Sequence, residues 1–233
     1  MVNLTSEMAQ LWGSLGPSQP GQGRVVQFVA ATRGEGTSTI AREFARFVSG
    51  RAKRPVWLVD LDLMAGGQHT LIAGEPTQFG MLGRPAAASP DGSAFYTVQP
   101  PSRDREGKRI PDANYLSAQR AGRSNLWVTR FRREMLRAGQ SPHLLPTGDY
   151  WAALRQHAEI VAIDAPAAER SGAAVTMAPF VDFTVLVVAA EGSDTRGPAA
   201  LRDAIEQAGG RCAGLVFNRG RITPPSFLRA ILP

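Results

Sequence analysis

Apolar positions in this chain fall into short, nearly continuous runs separated by amphipathic stretches, the pattern of a parallel sheet covered by helices on both faces. Residues 24–30 (RVVQFVA), 55–61 (PVWLVDL), 159–163 (EIVAI), 182–190 (DFTVLVVAA) and 212–218 (CAGLVFN) hold too few polar side chains to face water, so each is expected as a buried strand. Between them, residues 38–51 place Ile40, Phe44 and Phe47 on one helical face, and 149–157 and 195–208 also read as helices. Strands alternating with helices argue right-handed crossovers within one sheet. Near the start, Leu4, Met8, Leu11, Trp12 and Leu15 form one helical stripe that Asn3 or Thr5 would cap. A helix this short is not stable alone, so it packs on its own domain or docks on a neighbouring copy. Residues 16–23 (GPSQPGQG) are a linker by composition.

From about residue 74 to 148 the periodicity fails. Gly, Pro, Ser and Arg are frequent, Pro100, Pro101 and Pro111 interrupt any long element, and 125–131 (NLWVTRF) is the one convincing strand. A long irregular stretch inside a domain is usually functional or mobile. The expected organisation is a single domain over 1–233, with an N-terminal helix and linker at 1–23, a basic irregular insertion at 84–137 and a short helix at 225–232.

Composition narrows this picture. At 233 residues and 43% hydrophobic, the chain can bury the core of one α/β domain. Its single cysteine, Cys212, excludes an internal disulfide framework and, opening an apolar strand, reads as core. No apolar run approaches the roughly 18 residues of a membrane span, and MVNLTSEMAQLW lacks a signal peptide's basic start and apolar region. Cytoplasmic residence is the expectation. The net charge of +6 is concentrated in residues 84–137, which hold 11 basic and five acidic side chains, while the rest is balanced at 15 of each. Tyr96, Tyr115 and Trp127 are not regularly interleaved with those cations, so nucleic acid is not the expected partner; anionic lipid, an acidic partner tail or a solvated Arg-rich loop fits better.

Residues 31–38 carry the candidate chemistry. A phosphate-binding loop reads G-x-x-x-x-G-K-[ST]: backbone N–H groups cradle the phosphates, the Lys reaches the β- and γ-phosphates, and the hydroxyl goes to Mg²⁺. On that spacing Ala31 takes the first Gly, Gly36 the second, Thr37 the Lys and Ser38 the metal hydroxyl. The cradle is kept and its cation is missing. The second strand ends in Asp60 and Asp62, and residues 159–163 run into Asp164-Ala165-Pro166, an apolar strand closed by a metal-holding carboxylate. Ligand crevices lie at the carboxyl ends of parallel strands, so these acids are expected around the loop. His69, His143 and His157 have no zinc-ligand spacing.

These motifs together resemble the cytoplasmic bacterial tyrosine kinases of capsule and exopolysaccharide export, a branch of the MinD/ParA-type P-loop ATPases. The family's first motif, approximately S-x-x-P-G-E-G-K-S-T, is matched by Thr32-Arg33-Gly34-Glu35-Gly36-Thr37-Ser38-Thr39, with Arg33 for Pro and Thr37 for Lys. Its D-x-D-L-R-x-P-x-x-H is matched by Asp60-Leu61-Asp62-Leu63-Met64 and His69, without the Arg. Its D-x-P is Asp164-Ala165-Pro166, and its V-x-N-R is Val216-Phe217-Asn218-Arg219. The resemblance implies a three-layer P-loop NTPase fold with a mostly parallel sheet. It implies Arg33, Gly34, Glu35, Gly36, Thr37, Ser38 and Thr39 for phosphate, Ser38, Asp60 and Asp164 for Mg²⁺, Asp60 and Asp62 for catalysis, and Asn218 for the base.

The departures shape the functional expectation. The family's E-x-x-R-x-x-R aligns with Glu7, Gln10 and Gly13, so both arginines linked with subunit contacts are missing. The sequence ends RAILP and has Tyr96, Tyr115 and Tyr150 as its tyrosines, so a tyrosine-rich tail serving as phosphorylation substrate is not expected. The resemblance therefore implies a kinase-like protein, catalytically impaired, that binds Mg-ATP or Mg-ADP weakly and regulates or scaffolds exopolysaccharide export, with holdfast secretion one setting. Its implied partner is the cytoplasmic tail of an inner-membrane polysaccharide copolymerase, which would hold it peripherally at that membrane; a homo-oligomer is a second expectation. The alternatives are an active ATPase or tyrosine kinase using another cation, such as Arg33, and a ParA/MinD-like positioning ATPase.

Overall fold

Phe28 lies in the middle of a strand with parallel neighbours on both sides, which is why the apolar run around it is continuous rather than alternating. The protein's structure is a computed structural model describing residues 4–16, 21–190 and 195–219. In chain order the elements are α1 (Thr5–Ser14), β1 (Arg24–Val29), α2 (Thr37–Ser49), β2 (Val56–Asp60), α3 (Gly67–Gly74), α4 (Pro76–Phe79), β3 (Ala86–Ala87), β4 (Tyr96–Gln99), β5 (Leu116–Arg120), β6 (Leu126–Phe131), β7 (Ser141–Leu144), α5 (Asp149–His157), β8 (Ile160–Asp164), α6 (Ala173–Met177), β9 (Phe183–Ala189), α7 (Arg196–Gln207) and β10 (Cys212–Asn218). Part of the linker, residues 17–20, and the short helix expected at 225–232 lie outside the described residues.

One eight-stranded sheet runs β10-β9-β1-β8-β2-β6-β5-β3, and β4 pairs with β7 in a separate antiparallel ribbon. From β10 to β6 all neighbours are parallel; β5 turns antiparallel against β6, and β3 against β5. Two cores lie on opposite faces. On one, α1 and α2 bury Met8, Ile40, Phe44 and Phe47 against Phe28 and Leu58. On the other, α5 and α7 with the β4–β7 ribbon bury Trp151, Leu154, Leu201, Phe95 and Tyr96 against Trp57 and Val161. This is a three-layer α/β fold, the class expected. Each large apolar side chain moved out of water contributes about 1.5–3 kcal/mol, so these faces supply most of the stabilisation.

α1 packs on its own domain: Met8 and Leu15 are buried, Trp12 lies 6.1 Å from the Phe44 ring, and Arg24 Nη1 donates to the Leu15 carbonyl at 2.6 Å. Leu4, rather than Asn3 or Thr5, occupies its N-cap position.

Two expectations need correction. The region 84–137 is not irregular, because it carries β3, β4, β5 and β6, two of them widening the main sheet beyond β6. β6 is the strand expected at 125–131, whereas β3, β4 and β5 are short and partly exposed, so no apolar run announced them. Many of its arginines hold the chain itself: Arg120 donates to the Ser124 carbonyl, Arg132 to that of Asn114, Arg133 to that of Met64 and Arg137 to that of Arg103. The second correction concerns β10, expected as a buried strand. Among the described residues it is the sheet edge, pairing with β9 alone, and Leu215 and Phe217 are exposed while Cys212 is half-buried.

Candidate functional site

The loop between β1 and α2 depends on two glycines in the left-handed region, Gly34 at φ 85° and Gly36 at φ 93°, which L side chains rarely adopt. Gly36 is the residue before α2, and its carbonyl accepts the N–H groups of Thr39 and Ile40, both at 3.0 Å, so the loop passes directly into the helix. The segment after β8 closes over it: Ala168 donates to the Ala30 carbonyl at 2.9 Å and Glu169 to that of Ala31 at 3.1 Å. Glu169 Oε1 accepts the Arg33 N–H at 2.6 Å.

Strand register creates the acid pair. Pairing β2 with β8 in parallel sets Asp60 opposite Asp164 at the carboxyl ends, 104 positions apart in sequence and adjacent in the sheet. Asp60 Oδ1 accepts the Asp62 N–H at 2.9 Å and Oδ2 the Gln68 N–H at 3.2 Å. Asp62 accepts the Ala65 N–H at 3.1 Å and pairs with Arg170 Nη2 at 3.0 Å. A cavity of about 340 Å³ brings Arg33, Gly34, Gly36, Thr37, Ser38 and Thr39 together with Asp60, Asp62 and Asp164.

Glu35 and Asn218, also expected at the site, do not line this cavity. Glu35 turns beneath the loop, 6% exposed, where Thr32 donates to its Oε1; its Oε2 has no hydrogen-bond partner among the described residues. Asn218 Nδ2 donates to the Glu35 carbonyl at 2.8 Å, tying the end of β10 to the loop, and its Oδ1 accepts the Arg219 N–H. Its amide thus holds the loop.

Sequence reasoning missed Gln68, Arg42, Arg170 and Arg219. Gln68 is fully buried, and its Nε2 donates both to Asp164 Oδ2 at 2.7 Å and to the Ser38 carbonyl at 2.8 Å. Arg42, on the second turn of α2 and 8% exposed, donates to Gln68 Oε1 at 3.3 Å. A glutamine between two acids belongs to no common motif, so nothing in the sequence marked it. Arg170 and Arg219 line the cavity, and only the folding of two distant segments over the loop brings them there.

Burial, with the charge of Asp164 next in weight, pushes the Asp60 carboxyl up to about 7. Burial likewise pushes Asp164 up to about 6, although the Gln68 amide, the Ser38 hydroxyl and the Arg42 charge draw it back. Both folded-state values lie above the ordinary carboxylate value, so the native chain holds these protons more tightly than the unfolded one. Stability from the pair is therefore complete below about pH 4 and lost as pH rises through about 6 to 7. The thermal midpoint of the metal-free chain is expected to fall between pH 5 and pH 8, and Asp60→Asn to flatten that fall in scanning calorimetry.

The donor chemistry fits Mg²⁺, which takes oxygen ligands, keeps several waters and is often completed by substrate phosphates. Ser38 and the carboxylates Asp60 and Asp164 are such donors, but among the described residues no group of three or more His, Cys, Asp or Glu could hold a metal alone. A larger cavity of about 690 Å³ lies against α7, β9 and β10; Leu186, Val188, Leu215 and Phe217 line it, and it has no strand-end acid pair. Chemistry therefore assigns the smaller, polar cavity as the site.

The same architecture is found in solved structures. The chain aligns with the chimerical protein CapA2B2 at 18% identity over 94% of this chain and 86% of that one, with a TM-score of 0.60. It aligns with the kinase domain of the Escherichia coli tyrosine kinase ETK at 16% identity over 94% and 74%, with a TM-score of 0.59. For the VpsO kinase domain the figures are 18% identity, 94% and 100% coverage, and a TM-score of 0.51. No family model and no curated protein matches the chain by sequence. At these identities the likeness is one of fold: the three-layer α/β architecture of this chain is the one those structures share.

Proposed function

We propose that this chain is a kinase-like P-loop protein that binds Mg-nucleotide weakly, transfers phosphate poorly, and acts as a cytoplasmic regulator or scaffold of exopolysaccharide export, with holdfast secretion as one setting. The observation that carries the reading is the combination of an assembled cavity with Thr37 in the place of its lysine. Phosphoryl transfer depends almost wholly on positioning and charge stabilisation. Removing one preorganised stabiliser commonly raises the barrier by about 3–4 kcal/mol, roughly 10²- to 10³-fold in rate.

In this reading the loop's backbone N–H groups and the Thr37 and Thr39 hydroxyls orient the phosphates, and Ser38 and Asp164 hold Mg²⁺. Gln68 keeps Asp164 in place from its buried side. The metal, when bound, supplies charge neutralisation at the phosphate oxygens. In the metal-free chain burial holds Asp60 protonated to higher pH than an ordinary carboxyl, so it is a poor base below neutrality. The partner is the cytoplasmic tail of an inner-membrane polysaccharide copolymerase; the fold shared with tyrosine kinase domains supports that reading.

Incubating purified chain with γ-labelled ATP and Mg²⁺ tests it. Saturable nucleotide binding with turnover at least 100-fold below that of an active kinase domain is expected. Fast turnover that Asp164→Ala abolishes would instead establish an active ATPase or kinase, the second reading, which the arginines lining the cavity favour.

A further inference from the structure

We propose that Arg170 is the phosphate-binding cation of this cavity, acting from the segment after β8 in place of the lysine that Thr37 replaces. This rests on the nucleotide-binding reading above and names the group that makes such binding feasible. Its ligand class is the terminal phosphate of a nucleoside di- or triphosphate, with inorganic pyrophosphate as the smallest probe.

The loop itself lacks a well-placed cation. Thr37 is neutral, and Glu35 buries a carboxyl beneath the loop with one oxygen unpartnered among the described residues. Arg33 sits on the exposed turn, where its backbone N–H is engaged by Glu169. Arg42 is held inside the fold by Gln68 and does not line the cavity. Arg219 lines it from the end of the edge strand.

Arg170 differs in how it is held. It ends the segment that closes over the loop, so the backbone bonds from Ala168 and Glu169 to Ala30 and Ala31 fix its distance from the phosphate cradle. Its Nη2 lies 3.0 Å from Asp62 Oδ2, and Asp62 is itself anchored by the Ala65 N–H and by its own N–H on Asp60 Oδ1. A chain of bonds thus runs from the strand-end acids to a guanidinium on the cavity wall. That side chain is 48% exposed. An ion pair so exposed contributes little, so the guanidinium turns to a phosphate at small cost. Its planar fork of donors matches phosphate oxygens in pairs, which an ammonium does not.

Calorimetric titration of the full chain with Mg-ADP and with pyrophosphate is the test, with circular dichroism to confirm that each variant is folded. Arg170→Ala is expected to weaken both ligands about 10- to 100-fold, the range for losing a hydrogen bond to a charged group. Arg109→Ala, at an exposed ion pair outside the cavity, is expected to change them less than about threefold, and Thr37→Lys in the Arg170→Ala background to restore binding. Unchanged affinity in Arg170→Ala, or a comparable loss in Arg33→Ala or Arg109→Ala, overturns the assignment and leaves the nucleotide reading standing. Full recovery in Asp62→Asn/Arg170→Ala would show that Arg170 merely masks Asp62, and also overturns it. A folded wild-type chain that binds neither ligand removes the nucleotide reading and this inference together.

Discussion

Gly36→Ala is expected to destabilise the chain by about 2–4 kcal/mol, combining left-handed strain at a non-Gly residue with a broken hydrogen bond. Gly36 sits at φ 93°, and a Cβ built there would lie 1.9 Å from Asn218 Nδ2. That amide must move, and with it goes the bond to the Glu35 carbonyl that ties β10 to the loop. For a domain of this size the unfolding midpoint should fall by roughly 5–15 °C in scanning calorimetry. Because contact and strain are separable, Asn218→Ala should relieve part of the loss when combined with Gly36→Ala, a coupling that distant sites would not show. A midpoint unchanged in the single variant would contradict the close approach of strand and loop.

Trp151→Ala should cost more, about 3–5 kcal/mol, the usual range for truncating a large buried aromatic. Trp151 is fully buried on α5, stacks on Phe95 with ring centroids 5.0 Å apart, and meets Tyr150 edge-on at 5.0 Å. Phe95 also contacts the Tyr96 ring, so the cluster joins α5 to the β4–β7 ribbon. Its removal opens a cavity between α5 and the ribbon, which Phe95 otherwise bridges through Tyr150 at 4.9 Å. Trp151→Phe should recover most of the loss, since the Trp151 Nε1 has no hydrogen-bond partner among the described residues to forfeit. Urea unfolding at constant slope is the measurement; a loss below about 1 kcal/mol would mean that the site collapses around the deletion.

The parts legible from sequence were those whose burial is two-sided. The strands that became β1, β2, β8 and β9 lie inside the sheet, so their runs are apolar throughout and need no partner to be recognised. β10 has an equally apolar run but sits at the edge, and that position could not be read from its own residues. β3 to β5 and β7 were missed for the opposite reason: two to five residues, part-exposed, carry too little periodicity. The loop glycines, Ser38, Asp60, Asp62 and Asp164, expected together from the residue types and spacings that phosphate and metal chemistry require, line one cavity. The tie of Asn218 to the loop was not legible, since its amide meets the Glu35 carbonyl only once β10 is in place.

The sequence by itself determined the class of fold, the glycine loop that leads into α2 and the threonine in the place of a P-loop lysine, because each is written in neighbouring residues. Tertiary structure alone decided that Asp60 faces Asp164, that Gln68 joins Asp164 to the start of α2, and that Arg170 lines the same cavity as Thr37. Those relations depend on strand register and on chain segments about 100 or more residues apart meeting at one end of the sheet. No local pattern encodes such a meeting, and it is this meeting that sets the charge a phosphate would encounter.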